Sequence, residues 1–410
     1  MTLAYPRVDA LPRQPTAAAI PSAPPRAAVN PITLGTFYLF VLSIPYEIPQ
    51  RAIPVEVSTA TGFLFLFATL LNPSACYGRI LPAMRWFAVY LWMFVVSTVL
   101  NPGDHPGQVA KLFIAMAELL LIFWAGTNLM RDERIWRTTL RLFVLACVVR
   151  AALQVSGIAT TEHTVWTGGE RVTAFGQNTN LSAIIQAAGL MAVIGMRLGP
   201  LGWPIAAVQG LCLIQTGSRG GLLCAMTGAL LYLFRGRSLS IKLRNALVGV
   251  LAMGLLAWGA FNSELMHNRF EQTAEEGTMA GRELIYPALL EMFSERPLLG
   301  WGPVNNQYEI ARRIDERKRK SRDAHNLVLE LLTTTGVIGA IPFLLGLGLT
   351  LKSTWRSRTG PFGVLPVALV AAVLVGTVSG TWIASKILWT ALAFGHAAGD
   401  AAASRPPCAA

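Results

Sequence analysis

Charge is what this chain has least of. Only 14% of its 410 residues are Asp, Glu, Lys or Arg, where an ordinary soluble domain carries about 25%. With 53% apolar residues and a mean hydropathy of +0.49, the chain belongs in a bilayer. Cysteine is scarce too. Cys76, Cys147, Cys212, Cys224 and Cys408 show no paired spacing and none falls in the long polar interval, so no disulfide framework or zinc knuckle follows. Asp-x-Asp and His-Glu-x-x-His are missing, which leaves a divalent-metal site without support, and no cofactor is expected. The phosphate-cradling Gly-x-x-x-x-Gly-Lys-Ser/Thr is missing as well, which argues against ATP hydrolysis. No surface of alternating basic and aromatic residues supports nucleic-acid binding, so the net charge of +12 fits anionic lipid heads instead. The first thirty residues are rich in Pro and Ala and have no apolar core of signal-peptide type. They are expected to form a disordered cytoplasmic tail, as is the Ala-rich end after Asp400.

What is present is a series of apolar runs, each of a length to cross a hydrocarbon core of ~30 Å as a helix. They lie at about 32–48, 53–71, 83–101, 109–129, 138–156, 179–197, 201–217, 219–235, 243–261, 326–350, 362–380 and 382–398. The expectation is an all-α polytopic membrane protein of about twelve spans, with one membrane domain over 31–398 and tails at 1–30 and 399–410. Short loops on one side hold Arg79, Arg85, Arg131, Arg134, Arg235, Lys242 and Arg356, while those on the other hold few basic residues. The basic side is read as cytoplasmic, so both termini face inward. The one long polar interval, 262–325, then faces outward.

That interval is where chemistry in water could occur. His325 ends it at the mouth of an apolar run, and an imidazole with an ordinary pKa near 6.5 can accept a proton at neutrality. A lone His at a helix start is more often a cap or an interface residue, and His105 and His163 are rivals in other outer loops. Arg219 sits in Thr216-Gly217-Ser218-Arg219-Gly220-Gly221, a short outer turn whose glycines let a backbone approach an anion closely. Arg282 opens the second half of the long interval. Arg150 lies inside the fifth run, where charge is costly and either snorkels or serves a site; the same alternatives hold for Lys111 and Lys386. Arg312, Arg313, Arg317, Lys318, Arg319, Lys320 and Arg322 interleave with Glu309, Asp315, Glu316 and Asp323. They form either a self-paired solvent helix or a patch for phosphorylated glycolipid and anionic lipid heads. Leu284, Ile285, Ala288, Leu289, Met292 and Phe293 recur on one helical face and predict a helix lying on the membrane surface.

Taken in order, Ser218-Arg219-Gly220-Gly221, Gly281-Arg282, Pro297-Leu298-Leu299-Gly300-Trp301-Gly302, His325-Asn326-Leu327-Val328-Leu329-Glu330 and Gly336-Val337-Ile338-Gly339 resemble the bacterial O-antigen ligase and O-antigen polymerase superfamily. The segment from Arg171 to Asn180 resembles its outer-loop segment, with Thr179 where proline is common. The resemblance implies a metal-independent GT-C-type glycosyltransferase of the bacterial inner membrane. Its donor would be an undecaprenyl-diphosphate-linked glycan, taken at the periplasmic face. The acceptor would be lipid A–core oligosaccharide in a ligase and another lipid-linked repeat in a polymerase. By the same resemblance Arg219 and Arg282, with Arg150 as a third, would bind the diphosphate. His325 would deprotonate the acceptor for an inverting displacement, and Arg171, Asn326, Arg312 and Arg313 are further candidates for substrate contact. A protein-directed oligosaccharyltransferase of the same superfamily and a lipid-linked sugar transporter are the competing expectations.

Overall fold

A peptide group in hydrocarbon finds no water to bond, so an apolar run must close its own hydrogen bonds as a helix. Each apolar run noted above carries one. The computed structural model describes residues 29–48, 56–158, 160–164, 170–196, 198–233, 239–277, 281–314, 320–378 and 380–404. The chain begins with α1 (Pro31–Ser43), α2 (Val57–Thr69), the single turn α3 (Pro73–Tyr77), α4 (Pro82–Leu100), α5 (Pro106–Leu129) and α6 (Glu133–Val155). A hairpin of β1 (Thr160–Thr164) and β2 (Glu170–Ala174) follows, then α7 (Thr179–Met196), α8 (Gly202–Gln215), α9 (Arg219–Leu233) and α10 (Leu239–Phe261). The long polar interval holds α11 (Glu264–Glu276), α12 (Arg282–Glu295) and α13 (Asn305–Arg313). The last apolar helices are α14 (Leu327–Arg356), α15 (Leu365–Thr377) and α16 (Lys386–Ala403). Proline at the first position of α1, α4 and α5 starts each helix where a missing N–H costs nothing.

Among the described residues five helices are long and apolar enough to cross a membrane: α4, α5, α6, α7 and α14. Several of the others on apolar runs are shorter; α15, at 13 residues, spans about 20 Å at 1.5 Å per residue. The hairpin departs from the all-α expectation. Its strands pair antiparallel, Thr160 opposite Ala174 and Thr164 opposite Glu170. The β-branched Thr160, Thr161, Thr164, Val172 and Thr173 favour a pleated surface there, in a stretch read from sequence as an outer loop. The expected C-terminal tail also starts later, because α16 runs on to Ala403. The tail residues 1–28 and 405–410 lie outside the described residues.

Two sets of contacts show which loops share an end of the bundle. At one end Arg79 and Arg131 meet Asp400 at 3.0 and 3.8 Å, and Trp124 donates to the Arg79 carbonyl at 2.7 Å. At the other, Gln108 donates to Tyr308 at 2.9 Å, His105 stacks on Tyr308 at 3.8 Å, and Asn305 donates to the Asn101 carbonyl at 2.8 Å. The α4–α5 turn therefore sits under the long polar interval. Between the ends, Phe87 packs on Trp389, Phe343 and Phe123 with ring centroids 5.0 to 5.5 Å apart, a dense aromatic centre joining α4, α5, α14 and α16.

The Pro-Leu-Leu-Gly-Trp-Gly and Gly-Val-Ile-Gly motifs turn out to be one structural unit. Helix α14 breaks at Gly336, whose φ of 61° and ψ of −167° belong to glycine alone. The loop after α12 enters the break: Val337 and Ile338 donate to the carbonyls of Pro297 and Leu298, and Trp301 and Gly302 donate to those of Thr333 and Thr334. Ser97 of α4 lies against both, its hydroxyl 2.8 Å from the Leu299 carbonyl and 2.9 Å from that of Thr334. A Cβ at Gly336 would fall on the Leu298 backbone. Gly336→Ala is therefore expected to destabilise by about 3 kcal/mol or more. Gly348→Ala on the same helix, with nothing within 4 Å of its Cβ, should be neutral or slightly stabilising. Thermal midpoints of the purified variants in detergent check this, and an unchanged midpoint for Gly336→Ala would contradict it.

Candidate active site

The local chemistry of the α8–α9 turn begins with Gly217, whose φ is 59°. A Cβ there would press on Leu265 at 2.8 Å and on Arg171 at 3.3 Å, so glycine lets the hairpin and the start of α11 close over the turn. Arg171, on β2, reaches across: its Nε donates to the Thr216 carbonyl at 2.7 Å and its Nη2 to Asn180 Oδ1 at 3.1 Å. The Ser218 hydroxyl lies 3.0 Å from the same Asn180 oxygen and accepts from the Gly221 amide at 3.2 Å, capping α9. Arg219 then points toward α11, where its Nη1 donates to the Arg269 carbonyl at 3.0 Å.

Arg171, Arg219, Arg269 and Arg282 face one another. Burial and then repulsion from Arg269, Arg219 and Arg282 push the Arg171 guanidinium down to about 9. Burial and then Arg219 and Arg282 push that of Arg269 down to about 10. Both values lie below that of a free arginine, so each remains cationic at neutral pH but is held there against a cost. Arg269 is 8% exposed, and its Nε and Nη1 are buried with no acceptor among the described residues. Four guanidiniums from β2, α9, α11 and α12 thus lie near enough to act on one another, with Glu283 beside Arg219, and guanidinium forks suit an anion with several oxygens.

Arg282, at the first position of α12, follows Gly281 with a φ of 85°. One turn later Tyr286 puts its hydroxyl 3.4 Å from the His325 carbonyl and 3.2 Å from that of Val378. The same short helix therefore carries one arginine of the cluster and a contact to the histidine turn. His325 itself has a φ of 53°, a left-handed conformation that costs a residue with a Cβ of order 1–3 kcal/mol. Its amide donates to the Thr381 hydroxyl at 3.1 Å.

The remaining candidates lie elsewhere. Arg150 is wholly buried within the bundle, donating to the Ser182 hydroxyl at 2.6 Å beside Cys147, Cys212 and Tyr46, while its Nε and Nη1 have no acceptor among the described residues. Asn326 caps α14, its side chain accepting from the Val328 and Leu329 amides at 3.0 and 3.1 Å. Arg312 and Arg313 pair with acidic neighbours: Arg312 with Glu309 at 2.8 Å, and Arg313 with Glu309 at 2.8 Å, Glu295 at 2.6 Å and Glu291 at 3.3 Å. This is the self-paired alternative; 315–319, the middle of that basic run, lie outside the described residues. Lys386 is buried against Glu56 at 3.0 Å and Thr59 at 2.7 Å rather than reaching toward headgroups. On α12, Ile285, Leu289 and Met292 pack against Ile310 and Ala324 inside the protein, while Leu284 on the predicted membrane-facing side is exposed.

Sequence reasoning missed Arg269. The available signal was a lone arginine three residues from Met266 and next to Phe270, on the buried face of an otherwise polar helix. It also missed Tyr286 and Thr381, whose roles depend on contacts far along the chain.

Residues 204–344, about a third of the chain, match a family model described as O-antigen ligase. The match supports membership of the O-antigen ligase and polymerase superfamily, and its interval includes Arg219, Arg269, Arg282 and His325. No curated protein matches the chain.

Removing one charge from a crowded cationic set relieves repulsion in the empty protein and weakens attraction for an anion. Arg269→Gln should therefore raise the melting temperature without ligand and shrink the increase produced by added pyrophosphate. Differential scanning fluorimetry at low salt checks both signs. A larger pyrophosphate response in the variant would contradict the cluster's role.

Proposed function

We propose that the protein is an O-antigen ligase. It transfers a glycan from undecaprenyl diphosphate to lipid A–core oligosaccharide at the periplasmic face of the bacterial inner membrane. The observation that supports this most is the gathering of Arg171, Arg219, Arg269 and Arg282 beside the turn that carries His325, with α12 common to both. In this reading the twelve apolar helices form a GT-C-type membrane domain, and the end bearing the arginines faces outward. The end joined by Arg79, Arg131 and Asp400 faces the cytoplasm, in keeping with the basic side of the loops.

The chemistry follows from charge. The lipid diphosphate of a glycosyl donor is a good leaving group when the negative charge that grows on its bridging oxygen is stabilised, and guanidinium forks supply fixed donors where that charge appears. His325 takes the proton from the acceptor hydroxyl as that oxygen attacks the anomeric carbon; the carbon–oxygen bond to the diphosphate breaks with its electron pair leaving on phosphate. One displacement inverts the anomeric configuration. The arginines supply the cationic stabilisation, so no divalent metal is required. Arg150, buried beside Ser182, acts in this account as a packing and positioning group within the bundle.

Purified protein, labelled undecaprenyl-diphosphate glycan and lipid A–core should yield glycosylated lipid A–core, and EDTA should leave the rate unchanged. Product that forms only between donor molecules would make the protein a polymerase, and product on protein an oligosaccharyltransferase. Donor movement across vesicles without transfer would make it a transporter. His325→Ala should bind the donor and make no product. Arg219→Ala and Arg282→Ala should each lower kcat/KM by about a hundredfold or more, in line with the loss of one preorganised donor. Normal turnover by His325→Ala would remove the base from the mechanism.

A further inference from the structure

Both backbone polar groups of His325 are engaged by side chains from other parts of the chain. The amide donates to Thr381 Oγ1 at 3.1 Å, and the carbonyl lies 3.4 Å from the Tyr286 hydroxyl. Thr381 belongs to the turn between α15 and α16, and Tyr286 also reaches that turn through the Val378 carbonyl at 3.2 Å. A hydroxyl has one proton, so Tyr286 shares it between the two carbonyls. Three segments distant in sequence, at 286, 325 and 378–381, are therefore tied at one point. The neighbour before the histidine, Ala324, is wholly buried against Ile285 and Ile310, which anchors the turn from the other side.

The backbone conformation at His325 is one that a residue with a Cβ adopts only when its surroundings impose it. Asn326, in extended conformation, begins α14 immediately afterwards, so the imidazole leaves the chain in a direction that helix geometry alone would not give. The amide that Thr381 receives belongs to this strained residue and is part-buried, so losing the acceptor would loosen its hold.

We infer that Thr381 and Tyr286 are positioning residues for the histidine, with the Thr381 hydroxyl holding His325 in its left-handed conformation. Tyr286 couples that conformation to α12 and so to the arginine at its start. This rests on the reading of His325 as the base. Neither side chain takes part in proton transfer. Occupation of the cluster by a diphosphate draws on Arg282 at the first position of α12, and Tyr286 one turn along passes the placement of that helix to the histidine turn. The base is thereby set in place by the same helix that grips the donor.

The test uses the full-length protein in detergent with labelled donor and lipid A–core, comparing Thr381→Val, Thr381→Ser, Tyr286→Phe and His325→Ala. Valine keeps the shape of threonine and removes the acceptor, while serine keeps the acceptor. Thr381→Val should lose roughly tenfold or more in kcat, as for a reacting group displaced by a fraction of its reach. Its donor KM and donor binding should stay within about twofold of the parent, the pattern of an interaction used in the chemical step. Thr381→Ser should recover most of the rate, and Tyr286→Phe should move kcat in the same direction by less. Parental turnover in Thr381→Val, with His325→Ala inactive, would overturn this inference and leave the base role standing. Turnover in His325→Ala would overturn the base role itself. A Thr381→Val protein whose donor binding and melting temperature fall together with kcat would show a general structural role and would also overturn the inference.

Discussion

Like charges held together are the constraint on which this molecule's outer end depends. Four guanidiniums brought together from β2, α9, α11 and α12 repel one another, and two of them are pushed well below the ordinary arginine range. Two of the four are fixed by bonds to the surrounding backbone and side chains. Arg171 is held by the Thr216 carbonyl and Asn180, Arg219 by the Arg269 carbonyl, and the turn between them by a Ser218 cap and a glycine that admits its neighbours. The scaffold bears a free-energy cost, offset in part by Glu283 beside Arg219, and an anion bound among the four would lower it further.

The rest of the fold is arranged to keep that end in register with the membrane bundle. A helix of the bundle is broken at Gly336, and the loop carrying Pro297 to Gly302 is spliced into the break by backbone hydrogen bonds. That joint fixes the C-terminal side of α12, while Gly281 and Arg282 fix its start. The helix is consequently held at both ends, and Tyr286 in its first turns can transmit position to the histidine turn. The aromatic centre of Phe87, Phe343 and Trp389 packs beneath, so the long polar interval rests on a rigid base instead of floating above it.

Much of this was legible in the chain. Apolar length marked the helices, because hydrocarbon leaves the backbone no alternative, and the glycine-flanked Arg219 and the interval-ending His325 stood out as polar groups in places where they need a reason. The hairpin at 160–174 escaped because five-residue strands between apolar helices carry too weak an alternation to distinguish them from loop. Arg269 escaped because one arginine on a polar helix looks like solvent surface until the partner across from it is known. Arg150 was grouped with the diphosphate ligands by its place on a helix, and its guanidinium lies buried beside Ser182. Arg312 and Arg313 looked like a lipid-binding patch or a self-paired helix; their bonds to Glu309 and Glu295 select the second for the part described. Long-range contacts such as Thr381 to His325 have no local signature at all.

The most direct measurement is a cryo-EM structure of the protein with undecaprenyl-diphosphate glycan bound. The account predicts diphosphate oxygens within hydrogen-bonding distance of Arg171, Arg219, Arg269 and Arg282, with the first sugar lying toward the His325 imidazole. A diphosphate seated away from these arginines, against Arg312 and Arg313 or at the α4–α5 turn, would contradict it.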